Sequence, residues 1–162
     1  MSRLDREFSF SSKTNIEEAK RLILDQHVDE NYSAYCGDDD FLVPSTLDKC
    51  ADFLDKNSDY SNCHGEALIF NTEGDPLTGP IQSVVDYRLS SNELSDPLER
   101  LKHYLNNYWP IWSVRRTDEF KHSLECLRSI NVESFREITM GCLPMIYGKT
   151  KTIDSLYVVR QM

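Results

Sequence analysis

Basic side chains are scarce in this chain: 18 Lys and Arg stand against 27 Asp and Glu in 162 residues, a formal charge of −9 and a pI near 4.9. That deficit excludes a dedicated phosphate-backbone binder, which needs a basic footprint, so no nucleic-acid partner is expected. A small phosphorylated ligand stays compatible, because one metal ion and two cationic side chains reverse the local sign. Long apolar runs are missing as well. None approaches the roughly 18–20 residues that cross a bilayer, so no transmembrane segment is expected. The opening MSRLDREFSF lacks the apolar centre of a signal peptide. Cysteine is limited to positions 36, 50, 63, 126 and 142, odd in number and without CxxC spacing. Disulfide scaffolds and zinc ribbons therefore drop out, and reduced, mostly packed thiols in a cytoplasmic protein are the expectation. There is no internal repeat or low-complexity tract, so 1–162 reads as a single domain. Its 40% hydrophobic and 28% charged residues match a soluble globular average and rule out wholesale disorder.

What is present reads as alternating helices and strands. Residues 1–12 form an arm or short strand. Thr14 and Glu17 make a capping box for a helix to about Asp25, with Ile16, Ala19 and Ile23 on one face. Tyr32, Ala34 and Cys36 alternate with Ser33 and Tyr35 as a strand over 31–37. Ser45 and Asp48 bracket a second capping box. Leu47, Cys50, Ala51 and Leu54 then follow at i, i+3, i+4 and i+7, an amphipathic helix ending near Asn57. Residues 63–70 read as a strand and 72–80 as turns. A helix starts at Asp96-Pro97 with Leu98, Leu101 and Leu105 as its inner stripe. Two more run from about Thr117 to Arg128 (Phe120, Leu124, Leu127) and from about Val132 to Ile146 (Phe135, Ile138, Cys142), with Pro144 expected to kink or end the second. Residues 153–160 close the chain as a strand. The fold class is α/β.

The segment YCGDDDFLVP, Tyr35 to Pro44, is the strongest local signal. Two carboxylates about 5 Å apart at an effective dielectric near 40 repel by about 1.7 kcal/mol, so Asp38, Asp39 and Asp40 in a row are costly without a counter-ion. A hard cation such as Mn²⁺ or Mg²⁺ relieves this through oxygen ligands. Carboxyl ends of strands are also where open α/β sheets bind ligands. The competing reading is a solvated acidic turn that caps the next helix.

From Tyr32 to Phe70 the chain resembles family-2-type glycosyltransferases of the GT-A fold. There a strand ends in an Asp-rich metal motif, followed by an apolar stretch, a proline and an amphipathic helix. The likeness is carried by Asp38–Pro44, by Lys49-Cys50-Ala51-Asp52-Phe53-Leu54, by Asp59-Tyr60-Ser61 and by His64-Gly65 with Phe70. It returns at Trp112-Ser113-Val114-Arg115-Arg116-Thr117, at Phe135-Arg136-Glu137, at Gly148-Lys149 and at Tyr157-Val158-Val159-Arg160-Gln161. The resemblance implies a partial GT-A, Rossmann-like mixed sheet flanked by helices. It also implies metal-dependent transfer of a sugar from a nucleotide-sugar donor to a glycan or other acceptor, with inversion. Residues 1–30 would be an arm and helix, 31–70 the metal-motif strand-helix-strand unit and 71–162 the acceptor side.

The resemblance also assigns roles. Asp39 takes the metal-contacting position; Asp38 and Asp40 share a ribose or second contact and an auxiliary ligand, in an order left open. Mn²⁺ or Mg²⁺ is the implied cofactor. Glu137 is the candidate base that deprotonates the acceptor hydroxyl, with Glu133 and Asp118 behind it. An ordinary first-turn carboxylate facing the helix dipole is the competing reading. His64 and Gly65 are placed beside the sugar, against a packed or capping imidazole. Trp109 and Trp112, on either side of Pro110, stack on a sugar face or pack in the core. Arg115, Arg116 and Lys149 are candidate phosphate contacts or surface cations. Only 37 residues precede Asp38. The chain is therefore expected to be the carboxyl-terminal portion of such an enzyme, lacking most of the nucleotide-binding half. An apolar edge exposed in this way makes self-association the expectation. A non-catalytic glycan- or protein-binding remnant is the alternative function.

Overall fold

The computed structural model describes residues 29–37, 40–75, 78–87, 90–107 and 112–161. The arm, the Thr14 helix, Asp38, Asp39, Trp109 and Pro110 lie outside the described residues. The elements are β1 (Tyr32–Ala34), β2 (Asp40–Leu42), α1 (Pro44–Lys56), β3 (Tyr60–Thr72), β4 (Ile81–Tyr87), α2 (Pro97–Asn107), β5 (Val114–Arg116), α3 (Thr117–Cys126), a 3-10 turn (Leu127–Ser129), α4 (Glu133–Tyr147) and β6 (Lys149–Gln161). The architecture is mixed α/β, as expected.

Among the described residues six strands form one sheet, in the order β1-β5-β3-β6-β2 with β4 also paired to β3. The long central strands β3 and β6 run parallel, and the other pairings are antiparallel. Both central strands are longer than the apolar runs that predict them. Their ends are mostly polar residues that still pair with a neighbouring strand, and ladder pairing satisfies the backbone there without apolar side chains. The hairpin strand β4 is unannounced in the sequence, because Ile81, Val84 and Val85 are all exposed and do not alternate with polar residues.

Helix α1 covers one side of the sheet. Cys50 and Leu54 pack with Cys63, Ala67, Val114, Tyr157 and Val158 into the main core. Its start differs from the expected capping box: Val43 is the N-cap, without a side-chain cap bond, and Pro44 opens the helix. A proline there gives up no hydrogen bond, since the first helical N–H groups are orphans anyway. Thr46 instead donates to the Leu156 carbonyl at 2.6 Å, tying α1 to β6.

Helix α4 lies on β3 and β6, and α2 packs against α4; here the observed burial departs from the sequence stripe. Leu98 and Leu105 are exposed, whereas Arg100 and Tyr104 are buried. Arg100 donates to the carbonyls of Met145 (2.8 Å), Leu94 (2.9 Å) and Ser95 (2.8 Å). It therefore sits at the carbonyl-rich, negative end of α4. Phe135 is likewise exposed, while Met140 and Met145 carry the burial of α4. Pro144 lies inside α4, three residues before its end, and does not terminate it early. Helix α3 presents Phe120 and Leu124, with Leu127 just after it, to Met140, a second apolar cluster as the periodicity predicts.

Candidate functional site

A cleft of about 240 Å³ opens where β1, β5, α3 and α4 meet. Residues spaced i, i+4 and i+7 share a helix face. On α3 and its following turn these are Phe120, Leu124 and Leu127, an apolar wall. On α4 they are Glu133, Arg136 with Glu137, and Met140, a charged wall. Tyr35 from the end of β1, Trp112 and Arg115 complete the lining. Three of the sequence-derived site residues, Trp112, Arg115 and Glu137, thus come together. Glu133, an alternative base, is there too.

Arg115 gives this cleft a fixed cation. It is 5% exposed, and burial pulls its guanidinium down to about 10, still protonated at neutral pH. Its Nη1 donates to the Met140 carbonyl at 3.2 Å and its Nε to Ser113 Oγ at 3.2 Å. The group also lies 5.5 Å from the Phe120 ring centroid. The Met140 contact has a cause in the sequence. An α-helical residue 144 would normally donate its N–H to carbonyl 140, but proline has none. Arg115 supplies the missing donor. The neighbouring Arg136 pairs with Glu133 at 3.5 Å, so α4 alternates charge at the cleft. A carboxylate, a buried cation and an indole around one opening can receive a hydroxylated ligand that carries an anionic group.

In sequence the acidic segment follows β1 after residues 35–37. Asp38 and Asp39 lie outside the described residues. Asp40 is the first residue of β2, opposite Arg160 of β6. Its side chain is 1% exposed, and its Oδ1 accepts from Arg160 Nε at 2.9 Å. Oδ2 has no hydrogen-bond partner among the described residues. The Arg160 guanidinium in turn stacks 3.7 Å from the Trp112 ring centroid. The metal expectation meets a partial fit here. One Asp40 oxygen is committed to a cation and the other is one donor, and no cluster of three or more ligands stands among the described residues.

The remaining candidates are dispersed. His64 is buried behind the cleft in a void of about 20 Å³ that shares Trp112 and Arg115 with it. Its Nδ1 meets the Gly65 carbonyl at 3.1 Å, and burial lowers its pKa to about 4. It is a neutral imidazole at pH 7. Gly65 faces β6: a Cβ there would sit 2.1 Å from the Ser155 carbonyl oxygen. Arg116 turns away from Arg115. It donates to the Leu54 carbonyl at 2.8 Å and stacks 5.9 Å from the Tyr32 ring, in a surface hollow that it shares with Asp118. Lys149 pairs with Asp59 at 2.8 Å. It begins the strand β6 that Arg160 nearly ends, roughly 35 Å away at ~3.3 Å per residue.

Sequence reasoning missed the parts of the cleft that depend on distant partners. Arg136 had a signal, since Glu133 three residues earlier marks an i, i+3 pair. Arg160 as the counter-ion of Asp40 had none, the partners being 120 positions apart. Compared with known proteins, the chain matches no family model and no curated protein.

Proposed function

We propose that the chain takes part in transferring a sugar from a nucleotide-sugar donor to a glycan or other hydroxyl acceptor, with inversion and in the cytoplasm. The observation that carries this reading is the single cleft holding Glu137, Arg115 and Trp112, with Tyr35 on the approach to the acidic segment. In this reading Glu137 accepts the acceptor's proton, Arg115 neutralises donor charge and Trp112 is the flat apolar surface for a sugar ring. Asp38 and Asp39, together with Asp40 Oδ2, would hold a Mn²⁺ or Mg²⁺ ion, whose chemistry is to neutralise the leaving diphosphate. The resemblance in the sequence supports the same class of reaction, that of the GT-A glycosyltransferases.

A non-catalytic glycan-binding remnant is the second reading. The commitment of Asp40 to Arg160 favours it, because a carboxylate already neutralised has less to offer a metal. Calorimetric titration with UDP-, GDP- and dTDP-linked hexoses in Mn²⁺ tests the first reading. Binding of one donor is expected, and Glu137→Gln should leave that affinity intact. If no donor binds while an oligosaccharide does, the remnant reading replaces it.

A further inference from the structure

We infer that Arg160 is a positioning residue for the cleft: it fixes the Trp112 indole in place while itself standing outside the lining. This rests on the reading above only in taking the cleft as a ligand site.

Arg160 is held from three directions. Its backbone is in register with Asp40 on β2 and with Ile69 on β3, so it sits inside the sheet rather than at an edge. Its Nε donates to Asp40 Oδ1 at 2.9 Å, and Asp40 is buried. Its guanidinium plane is then presented to Trp112 at 3.7 Å from the ring centroid, well inside the range of a cation–π contact. Trp112 precedes β5 rather than lying in it and packs against the edge of the main core, but its buried Nε1 has no hydrogen-bond partner among the described residues, so Arg160 is the polar group that holds its ring. With one ring face on Arg160, the indole lines the cleft from a fixed orientation. The pairing also gives Asp40 a task that needs no metal. It orients Arg160, and through it the cleft wall.

The planar fork of arginine is what this needs. Lysine would retain a positive partner for Asp40 but provide no flat group to stack. A purely charge-balancing Arg160 would be replaced by lysine without effect on Trp112. A positioning Arg160 would not.

The test uses the Trp109→Phe protein, in which Trp112 is the one tryptophan left, the sequence having 2. Acrylamide quenching of its fluorescence is measured without ligand for Arg160, Arg160→Lys and Arg160→Met. Both substitutions should raise the quenching constant about twofold or more, the scale set by losing one partly exposed Arg–Trp stack. The lysine variant keeps the experiment decisive if the methionine variant does not fold, and a circular-dichroism melt identifies folded samples. Wild-type-like quenching in folded Arg160→Lys overturns the inference. UDP-glucose and GDP-mannose in Mn²⁺ are titrated in parallel. If neither binds even the unsubstituted protein, the sugar-transfer reading of the cleft fails, and the quenching series still decides the role of Arg160.

Discussion

The most specific consequence of the structure is an energetic link between Arg115 and Pro144. The Met140 carbonyl is buried, and the residue four further on is a proline, so the helix cannot satisfy it. Arg115 Nη1 does so from β5. Arg115→Met removes that donor and leaves the carbonyl orphaned, at a cost of about 1–3 kcal/mol for a buried unsatisfied group. Part is offset because a charge need no longer be kept out of water. A net loss of about 2 kcal/mol is expected, or about 4–8 °C in melting temperature for a domain of this size. Pro144→Ala restores an N–H that can bond carbonyl 140. Alanine's better helix propensity acts in both backgrounds and cancels in a double-mutant cycle. What remains is the shared carbonyl. Pro144→Ala should therefore help the Arg115→Met protein by about 1 kcal/mol more than it helps the wild type. Urea denaturation of the four proteins, monitored by circular dichroism, measures this. Additivity within about 0.3 kcal/mol would refute the idea that Arg115 owes its place to the proline.

Two further outcomes follow from adjacent buried residues of β3, His64 and Gly65. His64 is neutral in the fold, with a pKa near 4 against an ordinary 6.5, so the unfolded chain binds the extra proton and stability falls as pH drops through this window. Between about pH 7.5 and pH 5 the loss from this residue is about 2 kcal/mol. His64→Gln should remove that component from urea midpoints taken across the range, and an unchanged slope would show that His64 is not the group responsible. Gly65→Ala puts a methyl group against the Ser155 carbonyl between the two central strands, a backbone clash that should cost roughly 3 kcal/mol. A neutral effect on the denaturation midpoint would mean that β3 and β6 do not approach so closely there.

The helices whose apolar stripes face a sheet or another apolar helix were legible in the sequence. Leu47, Cys50 and Leu54 of α1 point where their spacing says, as do Phe120, Leu124 and Leu127. Helix α2 was misread for a physical reason. Arg100 is buried because backbone carbonyls receive it, Met145 at the end of α4 and Leu94 and Ser95 just before α2, and periodicity of leucines carries no information about such carbonyls. Strand β4 escaped notice because neither of its faces is consistently apolar. At the cleft, residue types in the right neighbourhood of the chain (Trp112, Arg115, Glu137) could be singled out from their sequence context. The adjacent Arg115 and Arg116 diverge as neighbours on a strand must, one facing the cleft and the other the surface. The Asp40–Arg160–Trp112 chain of contacts joins three distant segments through sheet register, which no local pattern encodes.

Sugar transfer at the cleft around Glu137 is the proposal on which the rest depends. Its most direct test is release of nucleotide diphosphate from UDP-, GDP- or dTDP-linked hexoses in Mn²⁺ with an oligosaccharide acceptor, comparing the unsubstituted protein with Glu137→Gln. Acceptor-dependent release is expected from the former and a loss of at least ~10²-fold in the latter, the scale of a missing general base. Equal rates for the two proteins, or no release by either, would contradict it.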